Sequence, residues 1–309
     1  MAGMGRGLVA ALIAAGILTC FSGGIQTKAQ QLAITVDDLP AHGPLPPHLT
    51  REDIARQMIR ALHRAQVPPV YGFVNGQIVQ QQPETGGVLA AWRGAGDLEG
   101  NHTWSHMNLN QHSPQQFEDD IVKNEALLKL QMDNRDWHWL RFPYLAEGDT
   151  DQKKMGVRVF LAQHGYKIAA VTMSFNDYEW NEPYARCSQK HDHAAISHLQ
   201  HTYMKAADEN LHAERAMSKS LYGRDIPYVL LLHIGAFDAR MLPRLLDLYQ
   251  RRGFTFVSLE DAEKDPFYKY DVDPRTLPGP DTLEAAMQEK HLPLPAHKDY
   301  QKELDALCR

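Results

Sequence analysis

The sequence predicts an α/β protein, a barrel of parallel strands within a single domain, and three observations carry that reading. From about residue 31, short apolar runs alternate with amphipathic segments, the pattern of repeated β/α units. Capping and turn residues punctuate their boundaries. Seven such repeats fit in ~230 residues, which suits a barrel better than an antiparallel sandwich.

Leu32 to Val36 reads as a buried first strand. Thr50 to Asp53 forms a capping box opening a helix whose Ile54, Met58, Ile59 and Leu62 share one face. Pro68 and Pro69 close it ahead of a strand over Val70 to Val74, and a third strand is expected just before Gly100. Ser113, Pro114 and Gln116 combine an N-cap, a Pro at the first helical position and a capping-box partner, launching a helix that carries Phe117, Ile121 and Leu128. Trp137 to Phe142 reads as the fourth strand, Gln152 to His164 as a helix ended by Gly165, and Lys167 to Thr172 as the fifth strand. A long polar helix covers Asp192 to Leu221, and Pro227 to His233 is the sixth strand. Ala239 to Arg252 is a helix ended by Gly253, and Phe254 to Val257 is the seventh strand. Residues 263–309, rich in Pro and charge, read as a C-terminal extension wrapping a barrel of residues 30–262.

With 309 residues, 43 % hydrophobic and 23 % charged, the chain is neither collagen-like, wholly disordered nor a disulfide scaffold. It is long enough to bury a core unaided, so a metal site would serve chemistry. A net charge of −6 with scattered Lys and Arg offers no basic face for nucleic acid. Sixteen His against three Cys favour imidazole chemistry.

Arg6, the apolar run from Leu8 to Phe21 and the ending Thr27, Lys28, Ala29 resemble a signal peptide, so residues 1–29 are expected to be removed on export. The run falls short of the ~20 apolar residues of a membrane span, and the mature chain has no later candidate. A periplasmic or extracellular protein follows, with a lipid anchor on Cys20 as the alternative. Cleavage removes Arg6 and Lys28 but no acid, moving the charge from −6 to −8. It leaves Cys187 and Cys308, which an oxidising compartment lets pair; the sequence leaves a disulfide or two thiols open.

The polar residues at the expected strand ends are Asp37 and Asp38, His102 and His106, Arg141, Asp177 beyond strand five, and His233. Each alone has an ordinary explanation as a turn, a cap or a chance spacing. Together they fall on the C-terminal face of one barrel, where this architecture builds its sites. Two imidazoles and one carboxylate make a three-ligand zinc-type site with room for water. Such a metal lowers the water pKa from ~15.7 toward ~7 and polarises a carbonyl. A second carboxylate can take the water's proton while a His protonates the leaving group. Adjacent Asp residues can divide this work because successive strand side chains point oppositely.

In order along the chain, Thr35 to Asp38, His102 to His106, Arg141 to Tyr144 and Leu230 to His233 resemble four motifs of the polysaccharide deacetylases, carbohydrate esterase family 4 with its NodB homology domain. Gly253 to Leu259 resembles the ending of that domain. The resemblance implies a distorted (β/α)7 barrel. It implies Asp38, His102 and His106 as ligands of zinc, cobalt or manganese, Asp37 as general base, Arg141 as its partner and His233 as general acid. The main-chain N–H of Tyr144 would help hold the oxyanion. Val36 stands where Phe is commoner, leaving both Asp in register. The remaining motif departs from the family pattern, since Asn176-Asp177-Tyr178 lacks its first Asp. Asp177 is then expected to orient His233, and a competing frame puts Glu179 and Trp180 there.

His191, His193, His198 and His201 read as a solvated helix face, and Trp137 and Trp139 as core. Trp104 and Trp180 are the candidates for stacking on a sugar. The expected function is metal-dependent hydrolysis of non-peptide carbon–nitrogen bonds, deacetylating N-acetylglucosamine units of a cell-wall or extracellular polysaccharide. A small amide or O-acetyl ester substrate, or a silent carbohydrate-binding protein, are the alternatives.

Overall fold

The computed structural model describes residues 1–3, 30–276, 278–280 and 282–309. The expected leader, Cys20 included, lies outside the described residues except for its first three. Among the described residues seven parallel strands run in chain order: β1 (Gln30–Leu39), β2 (Tyr71–Val74), β3 (Leu98–Asn101), β4 (Trp139–Leu140), β5 (Lys167–Ile168), β6 (Tyr228–His233) and β7 (Phe254–Val257). They pair in the order β5-β4-β3-β2-β1-β6, with β7 also on β1. A parallel bridge between Met173 and Leu230 brings the chain beyond β5 back to β6. The sheet therefore curls on itself as the expected α/β barrel. It is distorted because β7 pairs only with Gln30 to Ala33 of β1 and because β4 and β5 are two residues each.

The helices are α1 (Arg51–Arg64), α2 (Gly76–Gln81), α3 (Gly86–Gly94), α4 (Pro114–Met132), α5 (Asp151–Gln163), α6 (Asn181–Gln189), α7 (His193–Tyr222), α8 (Ala236–Arg251), α9 (Leu259–Ala262), α10 (Lys269–Val272), α11 (Leu283–Glu289) and α12 (Gln301–Ala306). Both expected capping boxes form, Thr50 with Asp53 on α1 and Ser113 with Gln116 on α4. α2, α3 and α6 are helices that periodicity did not announce. α2 and α6 are short, six and nine residues, too few turns for a clear repeat.

The period of two in β1 sorts the core into two layers. Leu32, Ile34 and Val36 face the helices and join the main apolar cluster. Ala33 faces inward and packs with Tyr71, Phe73, Trp139 and Tyr268 inside the barrel. Each fully buried Leu or Ile contributes roughly 1.5–3 kcal/mol. Strands four and five are shorter than expected because Arg141 claims their partners: its Nε donates to the Ala169 carbonyl and its Nη2 to that of Ala170. The Ala170 N–H donates instead to Glu263 Oε1. The residues after 262 pack closely, burying Tyr268, Leu283, Met287, Tyr300 and Leu304. Cys187 and Cys308 form a disulfide, the pairing the sequence left open.

Candidate active site

The inward face of β1 runs Ala33, Thr35, Asp37, so Asp37 is carried to the C-terminal mouth of the barrel. Strict alternation would then turn Asp38 away. Instead the register against β2 shifts between Val36 and Leu39, and Asp38 takes a left-handed φ of 65°. Bulges of this kind re-aim side chains beside sites, and both carboxylates line one cleft of about 520 Å³.

His102 and His106 follow β3 on a loop that cannot relax. Thr103 is β-branched yet sits at a φ of 60°, and His106 at 57°, conformations that persist only when surroundings enforce them. Buried amides do so. Asn75 donates to the carbonyls of His102 and Thr103, Asn101 Oδ1 accepts the Thr103 N–H, and Asn124 donates to Asn101 Oδ1. His102 Nδ1 is 2.8 Å from the Arg141 carbonyl oxygen, which leaves Nε2 toward the cleft. That Nε2 lies 3.5 Å from Asp38 Oδ1, and His106 Nε2 lies 3.3 Å from the same oxygen.

Arg141 is 1 % exposed and ties the strand ends together. Its Nη1 donates to Asp37 Oδ1 at 3.0 Å and Oδ2 at 3.2 Å, and its Nη2 to Thr35 Oγ1. On the far wall His233 sits in register with Asp37 across β1 and β6. Asp177, fully buried, accepts the His233 main-chain N–H and lies 2.9 Å from its Nδ1. Asp177, not Glu179, is thus the carboxylate beside His233. Glu179 instead lines a neighbouring pocket. Tyr144, at a φ of 59°, is exposed and sets its ring edge-on to His106 with centroids 4.5 Å apart.

Two expectations need correction. Trp180 is completely buried: its Nε1 donates to Thr202 Oγ1 and its ring packs on Phe175, Tyr203 and Tyr300, so no sugar can stack on it. Trp104 packs over Gly76, where a Cβ would collide with its ring, and beneath Lys123. Neither lines the cleft. The reading of the sequence also missed His42. The chain turns back after Asp38, with the Ala41 N–H donating to the Asp38 carbonyl, and His42 Nδ1 comes within 2.7 Å of Asp38 Oδ2. Its only sequence signal was a His four residues past the Asp pair.

The electrostatics follow from these contacts. Burial pushes the Asp38 carboxyl upward, but His102 and His42 overcome it and hold the group well below the usual range. Burial and the neighbouring His102 hold His106 down to about 4, so its ring is neutral near pH 7. Burial also favours neutral His233, yet Asp177 outweighs it and the pKa is pushed up to about 10.

A metal fits this donor set. Asp38 Oδ1 is buried without a hydrogen-bond partner, which is costly unless something positive completes it. The carboxylate and the two ring nitrogens lie within 4.8 Å of one another, the one such group of three among the described residues. One carboxylate and two imidazoles suit zinc and similar ions.

Residues 24–169 match the family model described as polysaccharide deacetylase, a span holding Asp37, Asp38, His102, His106 and Arg141. Over that span the chain is similar to polysaccharide deacetylases. Its fold is shared with the chitin deacetylase of the fungal pathogen Colletotrichum lindemuthianum, at a TM-score of 0.53 and 22 % identity over 76 % of this chain and 88 % of that one. A mutant carbohydrate esterase family 4 pseudoenzyme with restored enzymatic activity aligns at a TM-score of 0.52 and 13 % identity, covering 76 % of this chain and 67 % of its own. The family 4 esterase domain of a multidomain xylanase from the hindgut metagenome of Trinervitermes trinervoides gives 0.50 and 16 %, covering 80 % and 95 %. No curated protein sequence matches the chain. Among the described residues no helix is long and apolar enough to cross a membrane.

Proposed function

We propose that the chain is an exported, metal-dependent hydrolase of non-peptide carbon–nitrogen bonds, which deacetylates N-acetylglucosamine units of a cell-wall or extracellular polysaccharide. In this reading residues 1–29 are a signal peptide, 30–262 the catalytic barrel and 263–309 an extension. The observation that carries it is the convergence on one cleft of Asp37, the orphaned Asp38 with His102 and His106, and His233.

Zinc, cobalt or manganese held by Asp38, His102 and His106 would supply Lewis acidity, lowering the pKa of a water molecule and polarising the acetyl carbonyl. Arg141 fixes the Asp37 carboxylate with two hydrogen bonds from one nitrogen, so that it accepts the proton of the attacking water. The water oxygen adds to the acetyl carbon, and the main-chain N–H of Tyr144 donates to the oxyanion that develops. His233, its Nδ1 turned to Asp177, gives a proton from Nε2 to the amide nitrogen as the carbon–nitrogen bond breaks. Acetate and a free amine result.

Incubating the full chain with N-acetylglucosamine oligomers, a small acetamide and an O-acetyl ester tests this. Equal release of acetate and primary amine from the oligomers supports it. Turnover of the ester or small amide alone redirects the substrate, and no turnover of any of them by metal-loaded protein refutes it.

A further inference from the structure

A second cavity, of about 390 Å³, lies beside the cleft and shares Leu145, Ser174 and Asn176 with it as walls. Its volume falls in the range of small-molecule sites, ~300–1,000 Å³. One side comes from α7, where Asn210 and Glu214 stand one turn apart. The other comes from the C-terminal extension, through Glu284 on α11.

Two polar side chains on the α7 wall are deeply buried. Asn210 is 4 % exposed and Glu214 2 %. The Asn210 amide nitrogen donates to Glu214 Oε1 at 3.0 Å, which settles the atoms that remain. Asn210 Oδ1 and Glu214 Oε2 are both buried and both lack a hydrogen-bond partner. Buried acceptors without donors are rare and costly, and two on one cavity wall point to a ligand that donates. Burial and the nearby Glu284 push the Glu214 pKa well above the carboxylate range, because two buried acids this close disfavour each other's charge, a repulsion that a cation between them would relieve.

We infer that this cavity is a subsite for a primary ammonium group, borne by a 2-amino sugar unit neighbouring the unit being deacetylated. A hydroxyl would bring an acceptor as well as a donor, whereas an ammonium brings three donors and no acceptor. Glu214 Oε2, Asn210 Oδ1 and the Glu284 carboxylate can take those three. A divalent ion fits less well, because Glu214, Asn210 and Glu284 offer fewer oxygens than the ~6–8 that calcium takes. The identity of the carrier rests on the deacetylase reading: each turnover makes an amino sugar, so a filled subsite directs the next cut nearby and yields blocks of free amines.

Calorimetric titration of the full chain with glucosamine, glucose, N-acetylglucosamine and calcium tests the inference. The wild type and the variants Glu214→Gln, Glu284→Gln and Asp37→Asn are compared. Glucosamine is expected to bind roughly 10-fold or more tightly than either uncharged sugar. Glu214→Gln and Glu284→Gln should weaken it by a similar factor, and Asp37→Asn should not. Should Glu214→Gln misfold, the half-buried Glu284→Gln decides. No glucosamine binding by the wild type, equal binding of glucose, calcium competing at the same site, or binding unchanged in both Glu variants each overturns it. Amine binding that depends on Glu214 in a protein that deacetylates nothing would keep the subsite and sink the deacetylase reading instead.

Discussion

Asp177 meets His233 with both oxygens of its carboxylate: Oδ2 accepts the main-chain N–H at 2.7 Å, and Oδ1 lies 2.9 Å from Nδ1 of the ring. The two contacts fix the position of the residue and the orientation of its ring together, leaving Nε2 to the cleft. Although burial favours the neutral ring, Asp177 and then Asp38 and Asp37 raise its pKa to about 10. His233 is therefore protonated near neutral pH.

Asp177→Asn should move the basic limb of the pH–rate profile down toward the ordinary imidazole value of ~6.5, because the carboxylate that favours the charged ring is gone. It should also lower the plateau, since an amide can present its N–H to Nδ1 and stabilise the wrong tautomer. The limbs report apparent values of the coupled site. A profile of kcat against pH checks this, and an unmoved basic limb contradicts it.

His42 orients Asp38 by its contact with Oδ2, leaving Oδ1 as the free donor. Loss of such a partner typically costs ~10–100-fold in metal affinity. His42→Ala should show that loss in a zinc competition titration with its fold intact, and His42→Asn, which can still donate, should recover part of it.

Glu99 on β3 is fully buried with both carboxylate oxygens unpartnered, and burial pushes its pKa up to about 7. The unfolded chain releases this proton near ~4.5 and the folded one only near 7, so folding stability falls as pH rises between those values. The fall amounts to about 3 kcal/mol. Glu99→Gln removes this titration. Its melting temperature relative to the wild type should rise from pH 5 to pH 8, and a pH-independent difference would show that Glu99 does not titrate there.

The sequence marks Asp37, Asp38, His102, Arg141 and His233 because each stands at or just after the end of an apolar run, and parallel β/α units bring those ends to one face. The same logic cannot see a side chain that a turn brings back, which is why His42 escaped it. Nor could it decide between Asp177 and Glu179, two residues apart on one short helical turn whose direction depends on the packing of Trp180. Trp180 was misread for the same reason: nearness in sequence to the site says nothing of facing it. The shortened β4 and β5 were invisible too, because Arg141 replaces their ladder with side-chain bonds made across the barrel.

The division of labour between adjacent aspartates is the centre of this account, and measuring bound zinc and turnover together in Asp37→Asn and Asp38→Ala tests it most directly. Asp37→Asn should keep its zinc and lose ~10²–10⁴-fold in kcat, the contribution of a general base. Asp38→Ala should bind zinc weakly and regain part of its rate in excess metal. If Asp37→Asn loses the metal while Asp38→Ala retains it, the roles given to the two carboxylates are wrong.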